Sequence, residues 1–140
     1  MEHKSSIRRQ SRELALQVLF QREFSPETSV GNSLHYFREM LKGPEEMWQY
    51  AAHLLEGILN MSEVVDKKLS SASTKWSLSR MSLVDKNTLR IAVFEMINAQ
   101  EPVPPKVAIN EAIEVAKKYG NTDSPAFVNG ILNEVAKDII

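Results

Sequence analysis

Cysteine is absent from the 140-residue chain. Disulfides, thiolate metal clusters and cysteine nucleophiles are therefore excluded, and a reducing compartment is permitted. Turn-forming residues are sparse: five glycines and six prolines make about 8% of the chain, against roughly 12% in average proteins. That scarcity argues against a many-stranded sandwich or barrel. Neither sign of charge dominates. Seventeen Lys and Arg face eighteen Asp and Glu, a net charge of −1, which excludes a polycation that coats nucleic acid indiscriminately but leaves room for a local basic patch. No apolar run approaches the roughly 18 residues of a membrane span. The stretch Met1 to Gln10 lacks the apolar core of a signal peptide. The expected setting is the cytoplasm, with no membrane partner.

Apolar residues make up 43% of the chain and charged residues 25%, the balance of a folded soluble domain. Its apolar residues recur at intervals of three and four, which predicts an all-α fold of about seven helices. The first runs from about Ser6, capped by Ser5 or Ser6, to Phe24, where Ser25-Pro26 stops it. The second covers about Ser33 to Lys42, with Leu34, Phe37, Met40 and Leu41 on one face. The third covers about Glu45 to Asn60, and the fourth opens at Ser62 and ends near Ser73; the pattern fits two helices or one kinked helix. Ser70 to Ser79 reads as a polar connection pinned by Trp76. The fifth helix, from Leu83 to about Ala99, starts on a capping-box-like Ser82/Asp85 pair, which places Asp85 at an exposed helix start. The sixth spans Pro105 to Tyr119 with Gly120 at C′, and the seventh runs from Ser124-Pro125 to about Lys137. Two helical halves, about 1–77 and 78–140, would form a single domain. Phe127-Val128-Asn129-Gly130-Ile131-Leu132 carries a hairpin signal in its Asn-Gly pair, but the helical stripe continues to Val135. If helical, Gly130 would admit a close neighbouring helix.

Visible seats for catalysis are missing. His3, His35 and His53 share no metal-binding spacing, so no metal site is expected. Glu111 and Glu114, beside Lys117 and Lys118, read as a solvated face with local ion pairs rather than an acid–base pair. No phosphate-binding glycine loop or nucleophile elbow occurs. The N-terminus differs. Lys4, Arg8, Arg9 and Arg12 face only Glu2 in the first twelve residues, and Arg8 and Arg12 share a helix face. Cations there oppose the helix dipole, while arginine's flat fork suits phosphates and bases. An ordinary solvated helix start and a nucleic-acid surface both fit. The arginine side chains are expected to face water. Phe20, two turns past Arg12 and off the Leu14/Val18 stripe, reads either as core or as a stacking platform.

Four segments together resemble the NusB family of bacterial transcription antitermination factors. They are Arg8-Arg9-Gln10-Ser11-Arg12-Glu13-Leu14-Ala15-Leu16-Gln17, Asp85-Lys86-Asn87-Thr88-Leu89-Arg90-Ile91-Ala92, Pro105-Lys106-Val107-Ala108-Ile109-Asn110-Glu111-Ala112-Ile113-Glu114, and Phe127-Val128-Asn129-Gly130-Ile131-Leu132. The resemblance implies a NusB-like all-helical fold of two small bundles and a helical Asn-Gly segment. It implies a non-enzymatic factor, without cofactor, that binds the boxA element of ribosomal RNA leader transcripts together with NusE. NusE is a small-subunit ribosomal protein, and the RNA polymerase elongation complex would be engaged only indirectly. Carried over residue by residue, the RNA side falls on Lys4, Arg8, Arg9, Arg12, Phe20, Asp123 and Phe127. The NusE side falls on Asp85. Gln10 stands where the family commonly has a third consecutive basic residue, which implies weaker intrinsic RNA affinity. The free protein would be a monomer or a homodimer. Two alternatives share the resemblance: a NusB-like domain of a ribosomal RNA cytosine methyltransferase, and an adaptor that dimerises through the arginine face.

Overall fold

A computed structural model describes residues 2–139, with side chains from Ser5 onward. Seven α-helices and one 3-10 turn make up its elements, with no strand among the described residues. In order they are α1 (Glu2–Phe24), α2 (Val30–Met40), α3 (Glu45–Asn60), α4 (Ser62–Ala72), the turn Leu78–Arg80, α5 (Leu83–Ile97), α6 (Pro105–Tyr119) and α7 (Ser124–Ile139). The contacts divide this chain after Glu56, inside α3, rather than near residue 77. The reason is that α4 packs on α5 and α7 and so belongs with the C-terminal helices.

In the unit up to Glu56, α1 starts at Glu2 and not at a Ser5 or Ser6 cap. Its buried stripe of Ile7, Leu14, Ala15, Val18 and Leu19 extends the Leu14/Val18 stripe at helical spacing. Ser11 is fully buried within it. The Ser11 hydroxyl is placed to donate to the Ile7 carbonyl at 3.0 Å or the Met47 carbonyl at 2.9 Å, and the second contact fixes α1 against α3. The second helix begins earlier than its apolar pattern suggests, because Ser29 caps it by accepting from the Asn32 N–H. Its anticipated inner face is only partly covered: Leu34 and Phe37 are half-buried, whereas Met40 and Leu41 are exposed.

In the unit from Gly57 onward, α5 touches α4, α6 and α7 and is buried on nearly every side. That position accounts for its lack of a polar face. Val65 and Leu69 of α4, Ala112 and Ala116 of α6, and Val128, Leu132 and Val135 of α7 complete the core. Arg90 donates through Nε and Nη2 to both carboxylate oxygens of Asp66, at 2.9 and 3.0 Å, a bidentate pair that clips α5 to α4. On the outer side of α6, Lys117 pairs with Glu114 at 3.1 Å, the solvated ion pair that the spacing predicts. Gly120 ends α6 with φ −89°, not in the left-handed conformation expected of a C′ glycine. Glycine is required there by proximity: a Cβ would meet Ser124 Oγ at 2.4 Å and the Ala116 carbonyl at 2.8 Å.

The Asn129-Gly130 pair lies inside α7, so the segment is helix rather than hairpin. Gly130 does not seat a neighbouring helix, however, since a Cβ there would meet nothing within 4 Å. Gly130→Ala should therefore raise stability by about 0.5–1 kcal/mol, the usual gain from removing an interior helix glycine. An unchanged or lowered urea midpoint would contradict this.

Candidate nucleic-acid interface

The arginine cluster is built on α1 and roofed by α3. Arg8 is half-buried and Arg9 exposed. Arg12 is only 5% exposed, which corrects the expectation that these side chains face water. Tyr50 of α3 lies beside both Arg8 and Arg12. The Arg8 guanidinium carbon lies 4.4 Å from the Tyr50 ring centroid and that of Arg12 lies 6.0 Å away, so both sit within cation–π range. Arginine can bury its stem and flat head against such a ring while keeping its charge. The Lys4 side chain lies outside the described residues. Further along α1, Phe20 is 41% exposed, with its ring 5.5 Å from that of the exposed Phe24. Phe20 is thus not a core residue.

A second cluster forms in the C-terminal unit. Asp85, Asp123 and Phe127, which come from α5, the α6–α7 turn and α7, line one open cavity of about 380 Å³ together with Trp76 and Arg80. Trp76 does not pin its connection into the core: it is 52% exposed and meets Phe127 edge-on, with centroids 6.4 Å apart. Asp123 is exposed, and its N–H donates to the Asn121 side-chain carbonyl at 2.8 Å, which shapes the turn. Asp85 departs from expectation. Its N–H donates to Ser82 Oγ at 3.1 Å, as a capping box requires, yet the residue is only 7% exposed. It lies on the wall of the same cavity as Met81, Phe127 and the α6–α7 turn, where the pattern around Ser82 suggests an open helix start. Its Oδ1 is buried with no hydrogen-bond partner in its own chain. From the sequence Trp76 reads as a structural pin and not as a site residue, and Arg80 is not singled out. A lone exposed tryptophan in a polar connection was the one signal available for the first.

Among the described residues no group of His, Cys, Asp or Glu could hold a metal ion, and no helix is long and apolar enough to cross a membrane. The NusB family model matches residues 9–137. The chain belongs to the NusB family. The transcription antitermination protein NusB of Bdellovibrio bacteriovorus is 47% identical over 134 residues, covering 96% of this chain and 98% of that protein. The corresponding protein of Trichlorobacter lovleyi is 43% identical, over 92% of this chain and 89% of its own. Among solved structures, T. maritima NusB superposes with a TM-score of 0.81 at 36% identity, over 94% of this chain and 91% of that one. A structure of the antitermination factors NusB and NusE in complex with dsRNA shares the fold, with a TM-score of 0.82 at 23% identity over 95% of this chain and 98% of that one. The NusB family is non-enzymatic, and its members named here are antitermination proteins.

Proposed function

We propose that this NusB-family chain is a transcription antitermination factor that binds boxA-type single-stranded RNA of ribosomal RNA leader transcripts jointly with NusE. The observation that carries this reading is the assembly of Arg8 and Arg12 over one aromatic ring, with Arg9 and the exposed Phe20 on the same helix. Arginines on phosphates and aromatics under bases are how single strands are held without a catalytic centre. A NusB of the same fold is found in complex with NusE and dsRNA. Asp85 is the residue we assign to NusE. A buried carboxylate oxygen that its own chain leaves unsatisfied is costly, and a donor from a partner would relieve that cost. With a net charge of −1, RNA affinity rests on a local cluster and is reinforced when a second protein joins the complex, as linked binding sites are.

The test is fluorescence anisotropy of a labelled boxA RNA across a salt series, with and without NusE. If Arg8 and Arg9 each neutralise one phosphate, Arg8→Gln and Arg9→Gln should each reduce the salt slope of log K by about 0.7. Asp85→Asn should leave that slope unchanged and weaken NusE binding about tenfold, the scale of one hydrogen bond to a charged group. Arginine variants with wild-type affinity and slope would defeat the RNA reading. Unchanged NusE affinity would leave Asp85 only its favourable place in the first turn of α5. A homodimer seen by light scattering that RNA fails to dissociate would favour the adaptor alternative.

A further inference from the structure

Tyr50 lies outside every motif quoted above, yet the structure sets it against two of the candidate phosphate-binding cations. Arg8 and Arg12 are one helical turn apart on α1, so a single ring serves both. The ring itself is held. His53, a turn further along α3, stacks on it with centroids 5.8 Å apart and planes inclined by 30°. The facing of α1 and α3 is fixed close by, where the buried Ser11 hydroxyl meets the Met47 carbonyl at 2.9 Å. Met47 is one turn before Tyr50, so the contact that sets the helix register lies next to the ring that receives the arginines.

We propose, building on the RNA-binding reading above, that Tyr50 is a positioning residue for the RNA backbone. Its ring holds the Arg8 guanidinium, with Arg12 buried beside it, in the orientation that meets a phosphate. A cation over a ring is held by the ring's electron-rich face, a contact distinct from the N–H···O bonds by which a guanidinium grips a phosphate. An arginine on an open helix surface has many rotamers and loses that freedom when it binds. Tyr50 orders the side chain in the free protein, which moves this cost from RNA binding to folding. Lysine is a poorer fit at Arg8, because an ammonium is a point charge that can sit over a ring but lacks the planar fork that meets a phosphate through two donors.

The experiment measures affinity for a labelled single-stranded boxA RNA at several salt concentrations, with a urea midpoint for every variant. Tyr50→Leu should weaken binding about three- to tenfold, the usual range for one cation–π contact. Its salt slope should stay at the wild-type value, because the same phosphates are still neutralised. Tyr50→Phe should keep wild-type affinity, since the ring and not the hydroxyl does the holding. Arg8→Lys keeps the charge and should lose about as much as Tyr50→Leu, and adding Tyr50→Leu to Arg8→Lys should cost little more. Wild-type affinity in either Tyr50→Leu or Arg8→Lys would overturn the positioning role. So would an equal loss from Tyr50→Leu in the wild-type and Arg8→Lys backgrounds, which would mark a general structural effect. Arg8→Gln separates the two levels. If it binds as wild type, the RNA reading falls and takes Tyr50 with it. If Arg8→Gln is impaired while Tyr50→Leu is not, the RNA reading stands and the positioning role alone fails.

Discussion

Gly57→Ala should destabilise the fold by about 2 kcal/mol, within the ~1–3 kcal/mol usual for overpacking a filled core. Alanine is the better helix former by about 1 kcal/mol, and Gly57 lies inside α3, so local propensity alone predicts the opposite sign. The neighbour decides. A Cβ on Gly57 would lie 2.1 Å from Phe94 Cζ and 2.3 Å from Cε1, far inside van der Waals contact. Phe94 is 3% exposed on the most enclosed helix of its unit, so its ring cannot swing into solvent and the backbones must part. The urea midpoint should fall by roughly 1 M with the slope unchanged. A double-mutant cycle with Phe94→Leu isolates the contact: the pair should lose clearly less than the sum of the two single changes. Additive losses, or a Gly57→Ala midpoint at or above wild type, would show that the ring does not press on this position. The contrast with Gly130→Ala, expected to be stabilising, comes from packing alone, since both glycines lie within helices.

Those two glycines mark where sequence reasoning ended. Local pattern was enough for α3 and α6, whose expected bounds match the observed Glu45–Asn60 and Pro105–Tyr119. α6 is bracketed by Pro104 and Gly120, α3 follows Gly43-Pro44, and both carry a clean apolar stripe. It was not enough for the start of α2, because Val30-Gly31-Asn32 are weak helix formers and the Ser29 cap that starts the helix precedes any apolar repeat. Nor could it tell Gly57 from Gly130, since what a Cβ would meet is set by residues distant in the chain. The same limit governs the site. The basic residues were legible as a cluster on one helix face. The burial of Arg12 was not, because Tyr50, the ring beside it, belongs to another helix. Asp85 was legible as a helix start through its spacing from Ser82. Its depth was not, because burial is set by residues that come together only in the folded chain, as Met81, Asn121 and Phe127 do around the shared cavity.

Phe20→Ala should cost about 1–3 kcal/mol of RNA affinity, the range for losing one base stacked on an aromatic ring. That is roughly a 5- to 150-fold loss, and it should leave the salt slope of log K nearly intact, because stacking releases no counterions. Opposite behaviour is expected of Arg8→Gln, which should change the slope, so the two kinds of contact separate in one salt series. Folding supplies the control. A fully buried phenylalanine costs ~3–5 kcal/mol when cut to alanine. Phe20 is 41% exposed and leans on Phe24, itself 69% exposed, so its truncation should cost only about 1–2 kcal/mol of stability and leave the protein folded under binding conditions. Phe20→Tyr keeps the stacking face and should bind RNA as the wild type does. Phe24→Ala asks whether the neighbouring ring carries the effect, since it removes the tilted partner and leaves the Phe20 face in place. Two results would remove Phe20 from the RNA surface: wild-type affinity in Phe20→Ala, or a urea midpoint that falls as far as a core truncation requires, since lost binding would then report unfolding rather than a lost stack.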